Sequence, residues 1–272
     1  METRRRRLPA GWYPEDGTGV SSELRAMEVE YAPVAVPAIA AVAPHASWTF
    51  SGALAWAAWR SAGPTDTVVV IGGHLPAGAP FLAAMEDAFE TPTGLMRADA
   101  ELRDAVVTEL SARPDVYADN TVEIHLPMAR TRFPDAKLAW FRAPNEMGAA
   151  RLGEALAAYA RTSGRTLFVM GSTDLTHYGP NYGFEPGGRG TAGRAWAREG
   201  DHAIAAAFAG MDAATAVVLA DDRRAACSVG AAVAAMAYAA AIGRTEGRTI
   251  GEASSWDLMR GDSFVGYCSV VY

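Results

Sequence analysis

Apolar runs and polar breaks alternate along this chain, and the spacing of the breaks separates strands from helices. VPAIAAVA (36–43) is unbroken, as a strand buried on both faces requires. TDTVVVIGG (65–73) is a valine-rich strand closed by two glycines. AKLAWFRAP (136–144), RTLFVMGSTD (165–174) and the terminal SFVGYCSVVY (263–272) complete the set of predicted strands. Between them the pattern turns helical. SGALAWAAWRSAG (51–63) and EMGAARLGEALAAYARTSG (146–164) each end at glycine, and ADAELRDAVVTELSARP (98–114) is an amphipathic helix stopped before proline. Further helices are predicted over 190–209, 212–220 and 225–242. Strands alternating with helices predict an α/β fold, with a mostly parallel or mixed sheet flanked by helices. No repeat or long linker divides the chain, so residues 1–272 are read as one domain.

Composition agrees with that reading. Half of the 272 residues are hydrophobic and a fifth are charged, which supports one sizeable core. The net charge of −7 argues against a nucleic-acid partner. Arg4 to Arg7 are an isolated basic cluster with no apolar segment behind it, so residues 1–9 are expected to be a flexible basic tail rather than an export signal. The stretch 225–243 approaches the length of a membrane span. It is mostly alanine, however, and is read as a buried helix with no membrane role. Two cysteines cannot form a disulfide framework. With no export signal, the cytoplasm is the expected compartment.

The chemistry concentrates at strand ends. His45 follows the run at 36–43, His74 follows VVVIGG, and His177 follows LFVMGSTDLT, three residues after Asp174. In open α/β sheets, sites gather beyond the carboxyl ends of the strands. One histidine at such an end is more often a satisfied hydrogen-bonding residue than a ligand. Three at three ends point to a shared site, and imidazole serves metal binding and acid–base work alike. Cys227 opens an apolar helix beside Arg223 and Arg224, which favours its thiolate. It reads as a metal ligand or nucleophile, against the commoner fate of a buried small hydrophobe. His202 and Cys268 read as structural. Glu123 and His125, in VEIHLP, are candidates to fix a ligand's orientation from behind. Trp48, Phe50 and Tyr178 are candidates to line a pocket, although core packing is the commoner use of such aromatics.

These motifs resemble the Memo family, the Memo-like proteins of the AmmeMemoRadiSam group, nearly end to end. AGWYPEDG (10–17) is similar to the family's AGSWY-type segment, and APHASWTFSG (43–52) to its APHAGYxYSG signature. VVVIGGH is similar to its strand ending in GPSH, and VEIHLP to its IEMHLP segment. GSTDLTHYG (171–179), the most specific, resembles its SSDxxHYG motif. The chain departs from the pattern at GGHLP for GPSHH, at DNT (119–121) for EHS, and at CSV for the CGR of the helix start. The family is similar in fold to class III extradiol (LigB-type) dioxygenases, in which two histidines and a carboxylate hold one non-haem iron. The resemblance implies that His45 and His74 are metal ligands, with Cys227 in place of the glutamate. It places His177 as an acid–base group, with Asp174 orienting or sharing that role.

The leading expectation is an Fe(II)-dependent oxidoreductase acting on a small molecule with dioxygen. Zinc or copper are the other metals such a site suits. A zinc hydrolase using Glu123 or Asp174 as base, and a non-catalytic peptide- or metal-binding module, are the alternatives. The helix at 146–160 and the terminal strand are compatible with a homodimer.

Overall fold

The valine run after Asp66 becomes a central strand, and the remaining elements are arranged about it. The computed structural model describes residues 1–272. Its strands are β1 Thr3–Arg4, β2 Ala40–Ala43, β3 Thr67–Leu75, β4 Leu82–Ala83, β5 Ala88–Thr91, β6 Gly94–Arg97, β7 Arg113–Pro114, β8 Lys137–Pro144, β9 Leu167–Ser172, β10 His177–Tyr178, β11 Arg248–Ser254 and β12 Phe264–Val271. Its helices are α1 Gly17–Met27, α2 Ala53–Ser61, α3 Ala100–Leu110, α4 Asn120–Glu123, α5 Leu126–Arg132, α6 Ala150–Ser163, α7 Gly190–Ala209, α8 Ala213–Arg223, α9 Val229–Ala241 and α10 Ser255–Leu258.

Nine strands form one sheet in the order β10-β12-β2-β9-β3-β8-β4-β7, with β11 added on β12. β2, β9, β3 and β8 run parallel. β12 is antiparallel to β2, β10 and β11, so the sheet is mixed. Side chains alternate between two covered faces. Val69, Ile71, Phe141 and Val169 meet α3, α6 and α9, while Val68, Val70, Trp140 and Phe168 meet α1, α2 and α5. Burial on both sides is the physical reason these strands read as continuous apolar runs. Ten of the thirteen residues of α9 are buried, which makes it a core helix. No helix is long and apolar enough to cross a membrane.

The basic N-terminus corrects an expectation. Residues 1–9 are not a free tail. β1 pairs in parallel with β5, and Arg4 is buried, with its guanidinium over the Trp140 ring at 4.5 Å. That guanidinium donates to the Asp115 carbonyl and, at 3.0 Å, to Glu86. The backbone N–H groups of Arg7 and Leu8 then donate to the buried Glu123 carboxylate at 2.9 Å. An arginine run reads as solvated when the acceptors that bury it are some eighty residues or more away.

Candidate metal centre

Four adjacent parallel strands end at one edge of the sheet, and each delivers part of a cluster there. The turn after β2 carries His45, and β3 ends in Gly73–His74–Leu75. β9 runs into Thr173 and Asp174, and the turn after β8 supplies Asn145. Cys227 arrives from the other side, two residues before α9. The ligand atoms of His45, His74 and Cys227 all lie within 4.8 Å of one another. The Cys227 Sγ is 3.3 Å from His45 Nε2, and the two imidazole rings stand perpendicular with centroids 5.0 Å apart. Three soft or borderline donors converging this closely form a group that can hold a metal ion.

The backbone is shaped for this approach. A Cβ on Gly72 would collide with the Thr121 hydroxyl, and one on Gly73 would collide with Ser228. His74 itself has φ +57°, a left-handed conformation uncommon outside glycine and a form of strain associated with functional positions. Thr173 and Asp174 lock the cysteine loop. Asp174 C=O accepts the Cys227 N–H at 3.2 Å, and Thr173 Oγ1 accepts the Ser228 N–H at 3.1 Å. Asn145 donates to the Cys227 carbonyl at 2.9 Å and accepts the Gly230 N–H at 3.3 Å.

The electrostatics favour an anionic sulfur. Burial alone would raise the Cys227 thiol, but the charges and hydrogen bonds of His45 and His74 bring it well below its ordinary value. Burial depresses both imidazoles, and their anionic neighbours more than reverse it. His45 is raised by Asp174 and Cys227. His74 is raised to about 10 by hydrogen bonds to Asp119 and Cys227. Asp119 lies well below the carboxylate range. Burial opposes this, but His74, Thr121 and Arg142 outweigh it.

Behind the two histidines lie different supports. His74 Nδ1 meets Asp119 at 3.1 Å, and the buried Arg142 binds Asp119 at 3.2 Å and the Gly73 carbonyl at 2.9 Å. His45 Nδ1 meets Ser172 Oγ at 2.9 Å, and that oxygen meets His125 Nε2 at 3.1 Å. Burial and the His45 charge push His125 down to about 3, so it is neutral. Trp59 Nε1–H, which can only donate, reaches His125 Nδ1 at 3.3 Å. The His125 proton therefore sits on Nε2 and is donated to Ser172.

A cleft of 690 Å³ opens over the cluster, lined among others by Trp12, Phe50, Asn120 and Tyr182 together with His45, His74, Asp174 and His177. The His177 ring packs edge-on to Tyr182 at 5.0 Å. Asp174 Oδ1 accepts the His45 backbone N–H at 2.7 Å, so its geometric hold is on His45. Glu123, the candidate support from behind, and Trp48 and Tyr178, two of the candidate pocket residues, are engaged elsewhere. Glu123 is spent on Arg7, Leu8 and Tyr13 and so anchors the segment that brings Trp12 to the cleft edge. Trp48 donates to the Ile124 carbonyl at 3.1 Å and packs in the core. The Tyr178 hydroxyl donates to Gly188 C=O at 2.7 Å. His202 is a surface residue paired with Glu252 at 3.0 Å, and Cys268 is a buried free thiol.

Sequence reasoning missed Asp119, Arg142 and Ser172. Their signals were faint. Asp119 stands where DNT departs from the expected EHS, and Arg142 is a buried charge within the apolar run that follows Lys137 in β8, where a buried charge requires a partner.

Comparisons with known proteins converge. A relative of Methanopyrus kandleri, named a MEMO1 family protein, is 27% identical over 263 residues, covering 90% of this chain and 86% of its own. Another MEMO1 family protein, of Pyrococcus abyssi, is 28% identical over 250 residues, covering 85% and 86%. The crystal structure of an uncharacterized Escherichia coli K12 protein superposes with a TM-score of 0.52 at 11% identity, covering 85% of this chain and 98% of that one; it supports the fold alone. The family described as Memo-like protein matches residues 4–271, and the chain belongs to that family.

Proposed function

We propose that this chain is a mononuclear non-haem Fe(II) oxidoreductase that acts on a small molecule with dioxygen. The observation that carries this reading is the convergence of two imidazoles, which line an open cleft, on the Cys227 sulfur. His45, His74 and Cys227 would hold the ion, and the donor set fits it. Both imidazoles favour the thiolate form of the sulfur, the two rings are anchored from behind, and both rings line the cleft. Fe(II) bound there would supply one-electron chemistry with dioxygen.

The remaining steps belong to the protein's own groups. Asp119 and Ser172 hold the two rings by their Nδ1 atoms, which leaves each Nε2 for the ion. His177, half-buried on the cleft wall, takes a proton from a substrate hydroxyl or amine and later returns it. Asp174 shares that proton traffic, since burial raises its carboxyl above the ordinary range. Tyr182 packs on the His177 ring and limits its rotation.

A zinc hydrolase is the rival, favoured by the thiolate donor. One of its two candidate bases, Glu123, is already committed to the N-terminal segment. The deciding experiment is dioxygen consumption by iron-loaded protein across a small-molecule panel, with His177→Ala beside it. The proposal expects consumption that this variant abolishes while keeping its iron. Substrate turnover without oxygen, best with zinc, would overturn it.

A further inference from the structure

A second cavity, of 290 Å³, lies between α7, β11 and α10. It shares Phe264 and Tyr267 with the cleft over the metal cluster, but none of the cluster's ligands. Ligand sites run from roughly 300 to 1,000 Å³, so this one suits a small metabolite. Arg194, Arg198 and Asp201 reach it from one face of α7, Glu252 comes from β11, and Asp257 comes from α10.

Most of these charges are already spent. Arg194 meets Asp257 at 2.5 Å and stands over the Trp256 ring at 3.8 Å. Glu252 meets His202 at 3.0 Å. Two groups are left. Arg198 lines the cavity and enters no hydrogen bond or ion pair. Asp201 is only 9% exposed. One of its oxygens accepts the Thr176 N–H at 3.0 Å, and the other receives no hydrogen bond. Its seat is fitted to it, since a Cβ on Gly266 would collide with the carboxylate. A solvated arginine is ordinary, but a buried carboxylate oxygen without a donor calls for one. Arg198 and Asp201 are three residues apart on α7, yet they do not bond each other.

The wall therefore offers one free charge of each sign. A lone anion on Arg198 would face three carboxylates, and a lone cation at Asp201 would face two guanidinium groups. A molecule that carries both charges a few bonds apart meets each with its opposite. We propose that this cavity binds a small zwitterion, an α-amino acid with a short side chain. Its carboxylate sits on Arg198 and its ammonium on the free oxygen of Asp201. Ala253 and Phe264 give the side chain an apolar wall. The site goes beyond the proposed function and needs no metal. Because Asp201 also holds the Thr176 N–H, the ligand lies one carboxylate away from the turn that carries His177.

The test takes apart the two charges of the ligand. L-Alanine is compared with ethylamine and propionate, and L-valine with isobutylamine and 3-methylbutanoate. Affinities are measured by calorimetry on the full chain, as purified and after chelation of any metal. The measurements are made at pH 8, where Asp201 is charged, since burial pushes it up only to about 7. Each amino acid is expected to bind at least about tenfold more tightly than its amine or its acid, because each analogue forfeits one hydrogen bond between charged groups. Arg198→Ala weakens the amino acids about tenfold and does not weaken the amines. Asp201→Asn weakens the amino acids and the amines together and does not weaken the acids. No binding of either amino acid, equal binding of an amino acid and its analogues, or binding indifferent to either substitution would overturn the inference. Binding that vanishes with chelation would place the ligand at the metal cluster and overturn it as well.

Discussion

The two histidines of the cluster are held in opposite ways. His74 is about a third exposed and rests on a chain of full charges, Asp119 and then Arg142. His45 is 1% exposed and rests on a neutral relay of Ser172, His125 and Trp59. The difference follows from depth. Near solvent, an anion behind an imidazole is tolerable and adds basicity. In the core a further carboxylate beside Asp174 and Cys227 would lack a counter-charge of its own, so hydroxyl and imidazole dipoles take its place. One ligand is therefore fixed by charge and the other by packing, and each support should fail in its own manner.

The charged side has the larger effect. Arg142→Met leaves Asp115 buried without its cation and Asp119 with His74 alone, and should cost about 3–5 kcal/mol of stability in chemical unfolding. A loss below 1 kcal/mol would mean that the charge chain is ornamental. Asp119→Asn keeps the shape but removes the anion behind His74. Metal affinity should fall roughly 10–100-fold by competition with a chelator, and an unchanged affinity would contradict the charge argument. On the neutral side, Ser172→Ala orphans His125 Nε2. It should cost about 1–2 kcal/mol in stability, with a smaller loss of metal affinity than Asp119→Asn. The reverse order would dissolve the comparison.

Another buried carboxylate sharpens it. Asp201 on α7 accepts the Thr176 N–H at 3.0 Å, just behind the turn that carries His177. Burial, with Glu252 adding to it, pushes Asp201 up to about 7. The folded protein thus binds this proton more tightly than the unfolded chain, whose value is near 3.9. Its contribution to stability is fully present below about pH 4 and is lost as pH rises through 7. Asp201→Asn keeps an oxygen for Thr176 and removes the titration. At pH 8 it should melt several degrees above the unsubstituted protein, by about 1 kcal/mol or more, and the gap should narrow through pH 7 and 5 and close below about pH 4. A gap independent of pH would show that Asp201 does not titrate in this range.

The strands that carry the site were legible because both their faces are buried. The runs at 65–73 and 136–144 correspond to β3 and β8 within two residues at either end. The run at 36–43 shrinks to Ala40–Ala43, since Pro37 has no N–H to give a ladder and the segment around it bridges the end of α2 instead. The helix expected from 51 begins as a π turn at Trp48–Gly52, which no propensity scale signals. Two-residue strands such as β4, β7 and β10 carry no period. The histidines stood out because strand ends collect sites. Asp119 and Ser172 did not, because each matters through a histidine that the fold brings from 45 or more residues away, and a sequence pattern records spacing along the chain.

The central claim is that His45, His74 and Cys227 form one open iron site. Iron content and the EPR spectrum of the Fe(II)–nitric oxide adduct, taken on anaerobically reconstituted protein, test it directly, with His45→Ala and Cys227→Ala beside the parent. The account predicts one iron per chain and a nitrosyl signal that both substitutions alter or abolish. Failure to bind iron, or a signal indifferent to both substitutions, would contradict it.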